Sequence, residues 1–161
     1  MLTFEHLVQI NDPRVPLIQP LTRMDIWHGL VLRAHHPTEF IMGLESCVIE
    51  TQEEQSGKTL LTRVLDFGPF QVHDRVTLTP MHEVRVLAPA TDRWPRSEAT
   101  VTVEEPEEGA IFLRFTYELD LADDSDDMDE TTVEIRKQAY VAADLDTVKR
   151  IREIAAIRKA H

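Results

Sequence analysis

Arg63 and Asp74 flank a Gly68-Pro69 pair, each within a run where apolar and polar residues alternate. If Gly68-Pro69 is a two-residue turn, with Gly supplying the positive φ, then residue 67 faces 70, residue 65 faces 72, and Arg63 faces Asp74 on the neighbouring strand. A second tight turn at Ser56-Gly57 also sets Glu50 opposite Arg63. The expected row Glu50, Arg63, Asp74 lies on a face otherwise made of Leu61, Leu65, Phe67, Val72, Val76 and Leu78. Charges on such a face need partners. An arginine between two carboxylates could anchor a ligand's polar end or tune an acid for proton transfer. The simpler reading, which we favour, is a self-satisfied ion-pair ladder or a face turned to solvent.

Two tyrosines could also offer a hydroxyl to a ligand. Tyr117 shares the apolar side of a late strand with Leu113, Phe115 and Leu119, and Tyr140 lies on the inward stripe of the final helix. Buried tyrosines more often serve as core residues with a hydrogen-bonded tip. Trp27 is a candidate ligand platform and equally a core residue, while Trp94, in a Pro-flanked loop, could guard a cavity mouth or meet a second subunit. His35 and Glu39 have one-turn spacing, but Pro37 breaks the helix that would align them, and His73 and His82 fall on separate elements. There is no HExxH, paired Cys or His-x-His motif, so neither a metal nor another cofactor is expected. Cys47 has His73 as one conceivable partner, although a lone cysteine in a strand is usually inert packing. The absence of a Gly-rich phosphate loop and of a GxSxG elbow argues against nucleotide hydrolases and the common serine esterases.

Positioning these groups requires a sheet and two helical layers. Residues 2–10 alternate, with Phe4, Val8 and Ile10 on the side of His6, before Asn11-Asp12-Pro13 and two further prolines form a connector. Thr22 is a good N-cap for a helix carrying Met24, Trp27, Leu30, Val31 and Ala34, and Pro37 should end it and open a short second helix with Phe40 and Ile41. Strands are expected at 46–55, 58–67, 70–79, 83–89, 98–104 and 110–121, about seven with the first. From about Asp129 to Ala160 the pattern becomes helical, with Tyr140, Val141, Leu145, Val148, Ile151 and Ala155 inward. Asp144-Leu-Asp146 should be its weak point, a kink or a restart, because Asp caps helices better than it continues them.

At 161 residues the chain suits one domain, 1–161, with a single core. Its net charge of −12 is uneven: residues 131–161 hold seven Lys/Arg against four Asp/Glu, leaving −15 on the first 130. An acidic body repels phosphate backbones, so nucleic acid is not an expected partner. The carboxylate-rich stretch from Glu118 to Glu130 lacks the Gly turn and terminal Glu of a calcium loop, and reads as a solvated loop ending at a helix N-terminus. No run approaches a membrane span, and the start lacks the regions of a signal peptide. With one cysteine this suggests a cytoplasmic setting.

The order of strand, two helices, antiparallel run and long final helix resembles the helix-grip fold of the START-like (SRPBCC) superfamily, which includes plant pathogenesis-related allergens and polyketide cyclases. Leu2-Thr-Phe-Glu-His-Leu-Val-Gln-Ile-Asn-Asp-Pro13, the segment Leu21 to Ala34, Leu65-Asp-Phe-Gly68 and Ala139 to Val148 are similar to the AtaL-like family within it. That resemblance implies an α+β fold in which a curved antiparallel sheet wraps around a long C-terminal helix. It also implies an apolar cavity between sheet and helix, suited to a lipid, sterol, polyketide or other hydrophobic molecule. We read first a non-enzymatic binding protein in which the Arg63 row or the tyrosines orient the ligand. The alternatives are a polyketide cyclase/aromatase-like or hydrolase-like enzyme using the same cavity, and an interaction module in which an outer face bearing Leu60 and Val64 forms a homodimer.

Overall fold

The computed structural model describes residues 1–16 and 18–160. Seven strands, β1 (Leu2–Gln9), β2 (Ser46–Gln55), β3 (Lys58–Asp66), β4 (Gln71–Thr79), β5 (Glu83–Ala88), β6 (Ser97–Glu107) and β7 (Ala110–Leu119), form one sheet. Helix α1 (Arg23–His35) follows β1, then a one-turn 3-10 helix (Pro37–Glu39), and helix α2 (Glu130–Ala160) closes the chain. The sheet order is β1-β7-β6-β5-β4-β3-β2, with every neighbour antiparallel. This is the helix-grip arrangement of strands and helices.

Local chemistry explains most boundaries. Ser56 and Gly57 have φ of 54° and 78°, the pair of positive values that a type I′ hairpin turn requires. Gly68 has φ of 94° and is followed by Pro69, and Phe67 N–H donates to the Phe70 carbonyl at 3.0 Å, closing the second hairpin. The Thr22 hydroxyl accepts from the Asp25 N–H at 3.0 Å while the Asp25 carboxylate accepts from the Thr22 N–H at 2.9 Å, a complete capping box for α1. Pro37 ends that helix at the expected place. Buried Asn11 braces the proline connector, donating to the Leu21 carbonyl at 2.6 Å and accepting from its N–H at 2.9 Å.

One face of the sheet carries the core, where Leu61, Val76, Val84, Val101, Leu113 and Phe115 meet Ile26 and Leu30 of α1 and Val148, Ile151 and Ala155 of α2. The other face holds exposed ion pairs such as Arg85 with Glu98 at 2.8 Å. No helix among the described residues is long and apolar enough to cross a membrane.

The helices depart from expectation in three places. Met24 is exposed and Ile26 takes its inward position. Leu145 is likewise exposed, and the neighbouring Asp144 points inward instead. Helix α2 runs unbroken for 31 residues through Asp144 and Asp146, because Asp144 finds side-chain partners on the sheet that outweigh its poor helix propensity. The buried residues of α2 all lie from Asp144 onward; the half from Glu130 to Ala143 has none. Arg152, on the anchored half, donates to the Ile10 and Gln19 carbonyls.

The two helices pack tightly at Gly29. A Cβ built there lies 2.8 Å from Ile151 Cγ1 and 3.0 Å from Cγ2, closer than real contacts allow. Replacing an interior helical Gly by Ala normally stabilises by about 1 kcal/mol, but overpacking costs about 1–3 kcal/mol. Gly29→Ala is therefore expected to lower stability in urea unfolding, and Ile151→Val in the same chain to recover part of the loss. An increase in stability from Gly29→Ala alone would show that the crossing is looser than described.

Candidate functional site

On the inner face the tight turn at Gly68-Pro69 sets Arg63 opposite Asp74, as the spacing predicts. The pair is bidentate: Arg63 Nε lies 2.9 Å from Asp74 Oδ1 and Nη2 lies 2.7 Å from Oδ2. Arg63 Nη1 also donates to the Ala34 carbonyl in the last turn of α1, at 2.8 Å. Both side chains are buried. All three guanidinium nitrogens have partners inside the fold, so the pair is a structural joint. Glu50 does not join the row. A β-bulge between Ile49 and Thr51 sets Ile49 opposite Arg63 and leaves Glu50 unpaired and exposed.

Trp27 is buried in the core against α1's neighbours and borders neither of the cavities described next. Tyr117 and Tyr140 stack with ring centroids 4.0 Å apart and planes 4° from parallel, between β7 and α2. The Tyr117 hydroxyl donates to Asp144, whose other oxygen lies 3.1 Å from His6 Nδ1 on β1. Burial pushes the Asp144 carboxyl above the usual carboxylate range, against the opposing pull of Tyr117, His6 and Arg33. Burial, then the hydrogen bond to Asp144, raises the Tyr117 phenol well above its ordinary value.

A chamber of about 120 Å³ lies beside this cluster, walled by Val84, Val86, Ala99 and Val101 with Ala34, Pro37 and Ile41. Its polar lining is Arg33, Arg63, Thr100 and Tyr117. Arg33 differs from Arg63: its Nε is buried and has no hydrogen-bond partner. Burial depresses its pKa, with nearby Tyr117 and Asp144 opposing and Arg63 adding to the effect. A second, larger groove of about 690 Å³ opens between β4, the loop after β5 and the first turns of α2. Phe70, Trp94 and Arg136 line it, and Arg136 Nε is again buried without a partner.

Arg33, Arg136, Asp144 and His6 are not among the site residues expected from sequence, although three signals point to them. His6 sits among Phe4, Val8 and Ile10 on one strand face. Arg136, Tyr140, Asp144 and Val148 recur at i, i+4 along one side of α2. For Arg33 the signal was its place on the stripe with Ile26 and Leu30.

The AtaL family model, described as acetylaranotin biosynthesis cluster protein L, matches residues 8–157. No curated protein matches the chain. Among solved structures, the Zhui aromatase/cyclase from a Streptomyces species is similar at 14% identity and a TM-score of 0.58, covering 97% of this chain and 94% of that one. The di-domain aromatase/cyclase StfQ from the steffimycin biosynthetic pathway is similar at 12% identity and 0.62, covering 99% of this chain and 52% of that one. Ara h 8.0201 is similar at 11% identity and 0.53, covering 94% and 97%. At these identities the likeness shows a shared fold.

Arg63→Met leaves Asp74 as an uncompensated buried carboxylate and should cost about 3–5 kcal/mol in equilibrium unfolding. Arg63→Met with Asp74→Leu should recover most of that loss, because a well-packed apolar pair replaces a buried ion pair at little cost. Unchanged stability in the single variant would remove the pair from its structural role.

Proposed function

The chain belongs to the AtaL family, and from that premise we propose that it binds an apolar, oxygen-bearing small molecule on the inner face of its sheet. The observation that carries this reading is Arg33. An unpaired guanidinium nitrogen in an apolar chamber is costly, and that cost falls when a ligand oxygen accepts from it. An apolar cavity of about 150 Å³ takes a benzene ring, so a chamber of about 120 Å³ suits one edge of a ring system, with the remainder extending into the groove. The aromatase/cyclases of the same fold support a ligand of polyketide or aromatic character. Arg63 donates from each of its three guanidinium nitrogens within the fold and also borders the chamber.

2-Naphthol is a suitable probe, fluorescent and neutral, with one hydroxyl. Saturable one-to-one binding is expected for the natural chain. Arg33→Met should weaken it about ten- to hundredfold, the loss of a hydrogen bond to a charged donor, while folding is unharmed or improved. No binding to the natural chain, or equal binding by the variant, would refute the proposal.

A second reading, an acid-base enzyme, is favoured by the chain from the chamber through Tyr117 and Asp144 to half-buried His6. Tyr117 would accept a ligand proton as it passes its own to Asp144, and His6 would relay the proton outward. That scheme needs Asp144 to hold a proton more readily than a free carboxylate. The folded chain then binds more protons than the unfolded chain above the ordinary value of 3.8. The contribution of Asp144 to stability should accordingly fall as pH rises from that value through the raised folded pKa, against the opposite trend from Asp12, Asp25 and Glu104. Asp144→Asn should remove this contribution from unfolding curves taken across the acid range. The same pH dependence with and without the substitution would show that Asp144 carries no elevated pKa and would remove the second reading.

A further inference from the structure

Arg136 is a separate feature from Arg33, and the sheet register relates the two. Val86, Ala99 and Tyr117 lie side by side across β5, β6 and β7 and border the inner chamber. The next row on the same face, Ala88, Ser97 and Leu119, borders the outer groove. The two spaces therefore succeed each other along the same strands, one side-chain repeat or about 7 Å apart.

The groove brings one buried, unpartnered guanidinium nitrogen together with a pair of aromatic side chains. Phe70 and Trp94 have ring centroids 5.4 Å apart, and Arg136 reaches in from the second turn of α2 with its Nε unpartnered. The groove also contains Asp92, Arg93 and Asp127, but all three are exposed, where solvent and salt screen them more than they screen a buried group. A single guanidinium matches a carboxylate in charge and in planar geometry. A dianion such as phosphate would meet one buried guanidinium nitrogen, and at the rim two carboxylates against the single exposed Arg93.

We propose that the outer groove is a carboxylate subsite, so that the ligand is an aromatic acid whose ring system enters the inner chamber and whose carboxylate meets Arg136. This rests on the reading of the inner chamber given above and adds the identity of the ligand's outer end.

The test compares 6-hydroxy-2-naphthoate with 6-hydroxy-2-naphthamide, two molecules of one shape that differ in charge, by isothermal titration. The natural chain should bind the acid at least tenfold more tightly than the amide. Arg136→Met should abolish that preference while still binding the amide detectably, and an unfolding curve as cooperative as the natural chain's certifies the variant's fold. Arg136→Lys should keep part of the preference. Equal binding of acid and amide by the natural chain, or a preference that persists in Arg136→Met, would overturn the carboxylate subsite alone. Failure of the natural chain to bind either compound would overturn this proposal together with the inner-chamber reading.

Discussion

Arg63 sits where β3, β4 and the last turn of α1 meet, and its guanidinium spends every nitrogen on them. Two bonds consume Asp74 and the third fixes the Ala34 carbonyl. Arg33, one residue earlier on α1, lies near Tyr117, Asp144 and Arg63, and its Nε finds no partner among them. The joint settles which arginine is structural and which is left with an unanswered donor. A buried charge with full hydrogen bonding supports a fold at neutral cost, while a buried charge without a partner marks a place where something else is meant to bind.

Along α2 the same logic appears as a column. Arg136, Tyr140, Asp144 and Val148 follow one another at four-residue intervals, running from the open groove past the stacked tyrosines and the buried acid into the aliphatic core. The strands opposite match this gradient: Leu113 and Phe115 lie buried in the core, Tyr117 borders the chamber and Leu119 borders the groove. Polar chemistry is concentrated where the helix leaves the sheet, and the end that packs tightly has little of it.

What could be read in advance divides by mechanism. Strand positions followed from alternation, and the Arg63–Asp74 pairing followed from a turn in which Gly and Pro permit only one register. The same reasoning failed for Glu50 because the bulge at Ile49 and Thr51 comes from no Gly or Pro; it is a tertiary accommodation within an edge strand. Asp144 was misjudged because helix propensity amounts to less than 1 kcal/mol, and its hydrogen bonds to residues far away in sequence exceed that. Helical spacing puts Met24 and Leu145 on the apolar stripes, yet both lie at the stripe's edge where single exposed apolar side chains are ordinary. Arg33 and Arg136 were passed over for the converse reason, since arginines on helices are solvent-facing by default. Only the placement of their Nε atoms reveals otherwise.

The uneven burial along α2 has a kinetic meaning. Its C-terminal half is fastened by Ile151 against Gly29 and by Arg152 to the connector, whereas the half over the groove has no buried residue to hold it down. Segments with few buried contacts open at a small fraction of the global unfolding free energy. For the guest proposed above, exchange would proceed by local lifting of that half, without disturbing the core, and its residence time would be governed by contacts different from those that set the melting temperature. Amide exchange would report the two halves of the helix as two separate clocks.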